Sequence, residues 1–187
     1  MYFAIIIGAS LVIRPGLSLI RKNLVAQSYQ MPAGSMAPAL LIGDRFIVDR
    51  LSYYFRHPYR GEIVLFRFPR DESRDFLKRV VGIPGDTVEI RAKRVFINGT
   101  LLREDYAAYD DARILSGDVD PRDNFGPTTL SREQFFVLGD NRDHSHDSRY
   151  FGPIRRDSIK GQARTIFFSW DEEVGSVRWG RAGMQVR

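Results

Sequence analysis

The chain has no cysteine, and that absence removes disulfides, thiolate nucleophiles, Cys-x-x-Cys redox chemistry and thiolate-bound zinc together. Imidazole is nearly as scarce, with His57, His144 and His146 the whole supply. Acidic residues are missing from the start of the chain: the first carboxylate is Asp44, so Arg14, Arg21 and Lys22 place +3 of the net +5 charge within residues 1–30. Long apolar runs are missing as well. The uncharged stretch from Tyr2 to Ile13 is twelve residues, short of the ~20 that cross a ~30 Å hydrocarbon core. What remains is an ordinary globular composition: 187 residues, 43% hydrophobic and 12% aromatic, with 9 Pro and 16 Gly. That is enough for one hydrophobic core without a metal or disulfide staple.

Extending the apolar stretch to Ile20 admits only Arg14, whose long stem can snorkel to an interface. Residues 1–28 are therefore read as a hydrophobic, basic membrane-anchor helix of marginal length. The competing readings are a core helix, a secretory signal peptide, or a longer anchor beginning upstream. A signal peptide wants a basic stretch ahead of the apolar one, and only Met1 precedes it here. With part of the positive charge flanking this segment, the +5 points to lipid rather than nucleic acid.

Beyond residue 30 the pattern becomes strand-like. Candidate strands are 45–48, 62–68, 76–81, 87–90, 94–97, 134–138 and 163–170, separated by turn signals such as Ile83-Pro84-Gly85-Asp86 and Asn98-Gly99. Helix is scarce. Residues 29–187 are expected to form one mostly β, antiparallel domain, with the Asp-, Gly- and Pro-rich residues 105–129 a long exposed excursion.

Three segments are stranger than a plain β domain requires. In Met31-Pro32-Ala33-Gly34-Ser35-Met36-Ala37-Pro38, a serine sits on a loop of fixed shape whose small neighbours admit a peptide backbone. On its own, such a serine is an ordinary surface turn. In Asp75-Phe76-Leu77-Lys78-Arg79-Val80-Val81, strand alternation puts Phe76, Lys78 and Val80 on one face and Leu77, Arg79 and Val81 on the other. An ammonium in apolar company is pushed towards its neutral, basic form; the bland reading is that Lys78 snorkels out of an edge strand. The third segment runs from Gly139 to Gly152 as GDNRDHSHDSRYFG, too polar and sign-mixed for a simple turn. Such groups must satisfy one another when buried, and an Asp147–Arg149 pair bracketing Ser148 is the simplest arrangement. A metal site at His144, His146 and Asp147 would lack a third nearby histidine, and Arg142 occupies a position where a calcium loop needs an oxygen ligand. No metal and no cofactor is expected.

Read together, GSMAPAL, FLKRVVGIPGD and GDNRDHSHDSRYFG resemble, in order and spacing, the three boxes of the type I signal peptidases, membrane-bound proteases with a Ser/Lys dyad. The resemblance runs from about Tyr29 to about Trp170 and takes in LIGDRFIVDR and YRGEIVLFRFP. It implies an antiparallel β catalytic domain of that family's type, with Ser35 as nucleophile and Lys78 as general base. Ser145 would hydrogen-bond and orient the lysine amine, an Asp147–Arg149 salt bridge would support it, and Asp140 would pair with Arg79. The implied reaction is acyl transfer through an acyl-enzyme, with the Ser35 N–H helping to hold the oxyanion.

Two residues depart from the family pattern. Ala33 stands where the best-known members carry an oxyanion-hole serine, and Ala39 stands where threonine is common. Substrates implied are the signal peptides of secretory preproteins, which end in small residues one and three positions before the cut. Tyr29, Met31, Met36, Leu40, Phe76 and Leu77 would line the shallow pockets, and each is equally suited to plain core packing. The family's setting is the bacterial cytoplasmic membrane, with the catalytic domain on its outer face. Arg21 and Lys22 then lie outside, against the positive-inside tendency, where they meet anionic headgroups.

Two other functions fit part of the sequence. A self-cleaving repressor uses a similar dyad but needs a helix-turn-helix ahead of the β domain, and the first 30 residues leave no room for one. A non-catalytic, membrane-tethered β interaction module would explain strands and anchor, but would leave the three boxes as coincidence.

Overall fold

The structure, a computed structural model, describes residues 26–187. The expected anchor helix thus lies outside the described residues except for Ala26, Gln27 and Ser28, which are extended in a strand. Among the described residues, no helix is long and apolar enough to cross a membrane.

Twelve strands follow in chain order: β1 (Ala26–Gln30), β2 (Asp44–Asp49), β3 (Ile63–Phe68), β4 (Asp71–Gly82), β5 (Thr87–Arg91), β6 (Arg94–Ile97), β7 (Thr100–Leu101), β8 (Phe125–Thr129), β9 (Gln134–Leu138), β10 (Ile154–Arg155), β11 (Ile159–Asp171) and β12 (Ser176–Val177). Two one-turn helices interrupt them, α1 (Ser52–Phe55) and α2 (Ser148–Phe151). All named strand pairings are antiparallel. The larger sheet runs β1-β2-β11-β3-β4-β9-β10 with β12 paired to β11, and the smaller runs β7-β6-β5-β8.

The patterns of the strands explain where each sits. In β2, Phe46 and Val48 are buried while Arg45 and Ile47 face outward, the period-two signature of a half-covered strand. In β3, four consecutive residues are buried because both faces are covered. Ile63 and Leu65 join Met31, Met36, Leu40, Phe46 and Leu77 in one cluster, and Val64 and Phe66 join Val80, Phe135, Val137 and Ile154 in another. The smaller sheet closes a third cluster around Val88, Ile90, Val95 and Phe136. The Asn98-Gly99 turn holds φ at 53° and 79°, as a two-residue hairpin requires.

Residues 105–129 are exposed or half-buried but for one residue. They end in β8, which pairs with β5, and they bury Asp123. The segment is held by charge rather than by apolar periodicity. Arg122 binds both oxygens of Asp123, at 3.0 and 2.8 Å, and Asp143 receives the Lys93 amine at 2.6 Å and the backbone amides of Asp110 and Asp111. Pro127 is tolerated inside β8 because that strand is the edge of its sheet.

Candidate active site

Ser35 is presented by the tight turn Gly34–Met36, which follows β1. The turn is pinned from below by Met36, which has no exposed surface. It is closed by bonds from the Ala37 amide to the Gly34 carbonyl at 3.1 Å and from the Leu40 amide to the Met36 carbonyl at 2.9 Å. Just beyond, the buried Asp44 carboxylate accepts from the Leu41 amide at 2.8 Å and from the Arg181 guanidinium. From the other side, the Asn141 amide donates to the Ser35 carbonyl at 3.2 Å and the Asn141 side chain to the Gly34 carbonyl at 3.3 Å. The nucleophile loop is therefore clamped to the Gly139–Gly152 segment.

Lys78 lies in β4 opposite Val64 of β3, with its Nζ 5.7 Å from the centre of the Phe76 ring. Its Nζ donates to Ser35 Oγ at 2.7 Å across 43 residues of sequence. Only 4% of Lys78 is exposed. Burial removes water from the ammonium and outweighs the attraction of Asp147 and Asp140, so its pKa falls from 10.5 to about 8. A lysine near 8 has an appreciable neutral fraction close to physiological pH, as a general base needs.

Behind the dyad is a buried ionic frame. Asp147 accepts from Arg149 Nε and Nη2, both at 2.8 Å, and from the Gly139 amide at 3.0 Å. Burial favours the neutral Asp147 carboxyl, but the Arg149 charge and hydrogen bonds prevail and hold it below the usual range. Arg149 also donates to the carbonyls of Arg122 and Arg142, each at 2.7 Å. Arg79, on the face of β4 opposite Lys78, binds Asp140 and lies 4.0 Å beneath the Tyr106 ring.

One expected contact is absent. Ser145 is buried, and its hydroxyl is set towards the Asp147 carboxylate, which it helps to hold low; the hydroxyl bonded to the lysine amine is that of Ser35. The Ser145 side chain instead lies against Gly139, where an added Cβ would come within 2.2 Å of Ser145 Oγ.

The dyad opens into a cleft of about 590 Å³. Tyr29, Met31, Phe76 and Leu77 line it, as do Ala33 and the dyad itself. Met36 and Leu40 do not: both are fully buried in the first core cluster, which corrects their expected place in the substrate pockets. Their side chains point under the nucleophile turn, where they are needed to fix it. Arg74, Asp75, His144 and His146 complete the wall and were not marked by sequence as lining residues. His144 Nε2 contacts Asp110 at 2.8 Å, and His146 stacks on Tyr150. Sequence reasoning also missed Glu104, whose carboxylate holds the buried Arg142 at 2.5 and 2.9 Å. Nothing in its local pattern marks it, since its partner is 38 residues away. Among the described residues, no group of three or more His, Asp or Glu is placed to hold a metal ion.

The chain is similar to known proteins over most of its length. The family described as "Signal peptidase, peptidase S26" matches residues 3–170. The probable signal peptidase I-2 of Synechocystis sp. is 36% identical over 168 residues, covering 87% of this chain and 72% of that protein. Signal peptidase I P of Bacillus subtilis subsp. natto is 33% identical over 162 residues, covering 86% and 87%. A solved signal peptidase I from Enterococcus faecalis V583 is 32% identical, with a TM-score of 0.46 over 57% of this chain and 97% of that one.

Proposed function

The chain belongs to the signal peptidase family, peptidase S26; it is a serine endopeptidase that removes signal peptides from preproteins, and we propose that it does so through a Ser35/Lys78 dyad. The observation that carries the assignment is the 2.7 Å bond between Lys78 Nζ and Ser35 Oγ at the floor of an open cleft. Neutral Lys78 accepts the Ser35 proton as the hydroxyl oxygen attacks the scissile carbonyl. The tetrahedral oxyanion is held by backbone N–H groups, that of Ser35 among them, and collapses to an acyl-enzyme as the protonated lysine returns its proton to the leaving amine. Water, deprotonated by the same amine, then hydrolyses the ester. Asp147, Arg149, Asp140 and Arg79 position the dyad without touching substrate.

The substrate binds extended. β1 is the outer strand of the larger sheet, and its continuation, Gln30 to Ala33, forms the cleft wall facing Asp75–Lys78. A peptide laid between them gains backbone hydrogen bonds as an added strand. Tyr29, Met31, Phe76 and Leu77 then bound shallow apolar pockets suited to alanine. The apolar, basic segment ahead of β1 anchors the protein in the cytoplasmic membrane with the catalytic domain on the outer face, where cleavage sites emerge.

The test is cleavage of a purified preprotein in detergent by wild type, Ser35→Ala and Lys78→Ala. Wild type is expected to release the signal peptide and both variants to lose at least a thousandfold in rate, the scale seen when a nucleophile or its base is removed. Undiminished cleavage by Ser35→Ala would sink the assignment.

A further inference from the structure

A second cleft, of about 580 Å³, lies away from the dyad and is lined by Arg50, Tyr53, Tyr54, Arg67, Arg156, Ile159 and Lys160, with Asp157. Its charges are unbalanced. Lys160 is held by Asp75 at 2.7 Å and Asp157 by Arg155 at 3.2 Å. Among the described residues, none of the three guanidinium groups has a carboxylate as close. Arg50 donates to the Gln27 side chain at 3.4 Å, Arg156 to the carbonyls of Tyr53 and Arg56, and Arg67 to the Asp157 carbonyl at 3.0 Å. The closest carboxylate to any of them in an ion pair is exposed Glu72, 3.6 Å from Arg67. Residues 1–25 contain no Asp or Glu, so they supply no missing carboxylate.

Three forked donors converging on one cavity match the oxygens of a phosphate, which guanidinium binds in bidentate fashion. Two further observations favour a phosphate carried by a lipid. The rim is aromatic and exposed, with Tyr54 at 69%, and Phe55, next to it on α1, at 82%; amphipathic rings of this kind settle at the headgroup level of a bilayer. The first described residue, Ala26, pairs with Asp49, the neighbour of Arg50, so the apolar N-terminal segment joins the domain beside this cleft. We propose that the Arg50–Arg67–Arg156 cleft binds the phosphate of an anionic phospholipid headgroup and seats the domain on the membrane surface. The proposal rests on the reading of the segment ahead of β1 as an anchor, and its test separates the two.

The full chain in nonionic detergent is titrated with dihexanoyl-phosphatidylglycerol, dihexanoyl-phosphatidylcholine and inorganic phosphate, and binding is followed by calorimetry. Saturable binding of phosphatidylglycerol is expected, with no saturation by phosphatidylcholine and much weaker binding of phosphate. Arg50→Gln and Arg67→Gln are each expected to weaken it about fivefold, the scale of one basic side chain near an anionic surface, while preprotein cleavage in detergent stays at the wild-type rate and certifies their folding. Arg156 is left intact because it also ties down backbone carbonyls. Equal affinity for both lipids, or unchanged affinity in both variants, overturns the proposal. Free phosphate binding as tightly as phosphatidylglycerol overturns the lipid source. Flotation of wild type with neutral phosphatidylcholine vesicles tests the anchor alone. Flotation without phosphatidylglycerol binding removes the cleft and keeps the anchor, and phosphatidylglycerol binding without flotation removes the anchor and keeps the cleft.

Discussion

The Arg79 guanidinium holds Asp140 by two bonds, Nε to Oδ1 at 2.7 Å and Nη2 to Oδ2 at 2.5 Å, with neither side chain more than 2% exposed. Arg79 also donates to the Gly61 carbonyl at 2.7 Å. The pair fastens β4, one residue from Lys78, to the segment that clamps the Ser35 carbonyl. Asp140→Ala leaves a buried guanidinium unpaired and is expected to cost about 3–5 kcal/mol in urea denaturation. Replacing both partners by Leu and Met should recover most of that loss, because no orphan charge remains. Stability of Asp140→Ala within about 0.5 kcal/mol of wild type would show that the pair is not structural.

The activity should rise with pH. With Lys78 as the proposed base, its pKa brought down from 10.5 to about 8 by burial, only the neutral amine accepts a proton. Below about pH 8, kcat/KM is therefore expected to climb close to tenfold per pH unit and then to level off. A profile flat from pH 6 to pH 9 would assign the base elsewhere.

The same burial works against folding. Lys78 binds its proton more weakly in the folded chain than in the unfolded one, so its contribution is most favourable above 10.5, declines as pH falls, and is fully lost below about 8. Lys78→Met removes the ion and keeps most of the volume. At pH 6 it should be more stable than wild type by on the order of 3 kcal/mol, an advantage that shrinks as pH approaches 10.5, while cleavage is abolished. Thermal denaturation across that range measures both the sign and the window; a Lys78→Met variant less stable at pH 6 contradicts the account.

Gly139→Ala should be a catalytic lesion rather than a folding one. The added Cβ would meet Ser145 Oγ at 2.2 Å and the Ser35 carbonyl oxygen at 2.5 Å. Rotation of the Ser145 hydroxyl relieves only the first contact; Ser145 Cβ, also 2.5 Å away, and the Ser35 carbonyl move only with their backbones. A shift approaching 1 Å at that point costs on the order of a hundredfold in kcat. The double variant Gly139→Ala/Ser145→Gly, which removes both Ser145 contacts, should stay impaired, and full recovery in it would show that only the Ser145 contacts matter.

The central strands were legible because they carry apolar residues in period two or in short, turn-bounded runs: 87–90, 94–97 and 134–138 coincide with β5, β6 and β9 to within one residue. The unread parts lack that signal. β1 is the exposed sheet edge AQSYQ, the first five residues of β4 are a polar, exposed extension, and β8 contains Gly126 and Pro127. Each is held by backbone pairing with a strand that does carry the signal. In the site, Ser35, Lys78, Asp147 and Arg149 stood out because each sits in a short stretch of unusual composition. Glu104 and Tyr106 did not, because their importance comes only from the buried arginines they meet, Arg142 and Arg79. Met36 and Leu40 were misplaced because an apolar residue beside a nucleophile reads the same whether it faces substrate or supports the turn.

The position of Lys78 depends on pairing as much as on identity. β3 and β4 align Val64 with Lys78 and Ile63 with Arg79. A slip by one residue would exchange the two faces and turn Arg79 towards Ser35, a side chain that never gives up its proton at physiological pH. The irregularities that flank this stretch, between Arg67 and Phe68 on one side and between Val80 and Gly82 on the other, leave five residue pairs from Ile63↔Arg79 to Arg67↔Asp75 to hold the alignment. A single inserted or deleted codon within that run would preserve every side chain of the dyad and still silence it, so length in β4 is under stricter constraint than composition.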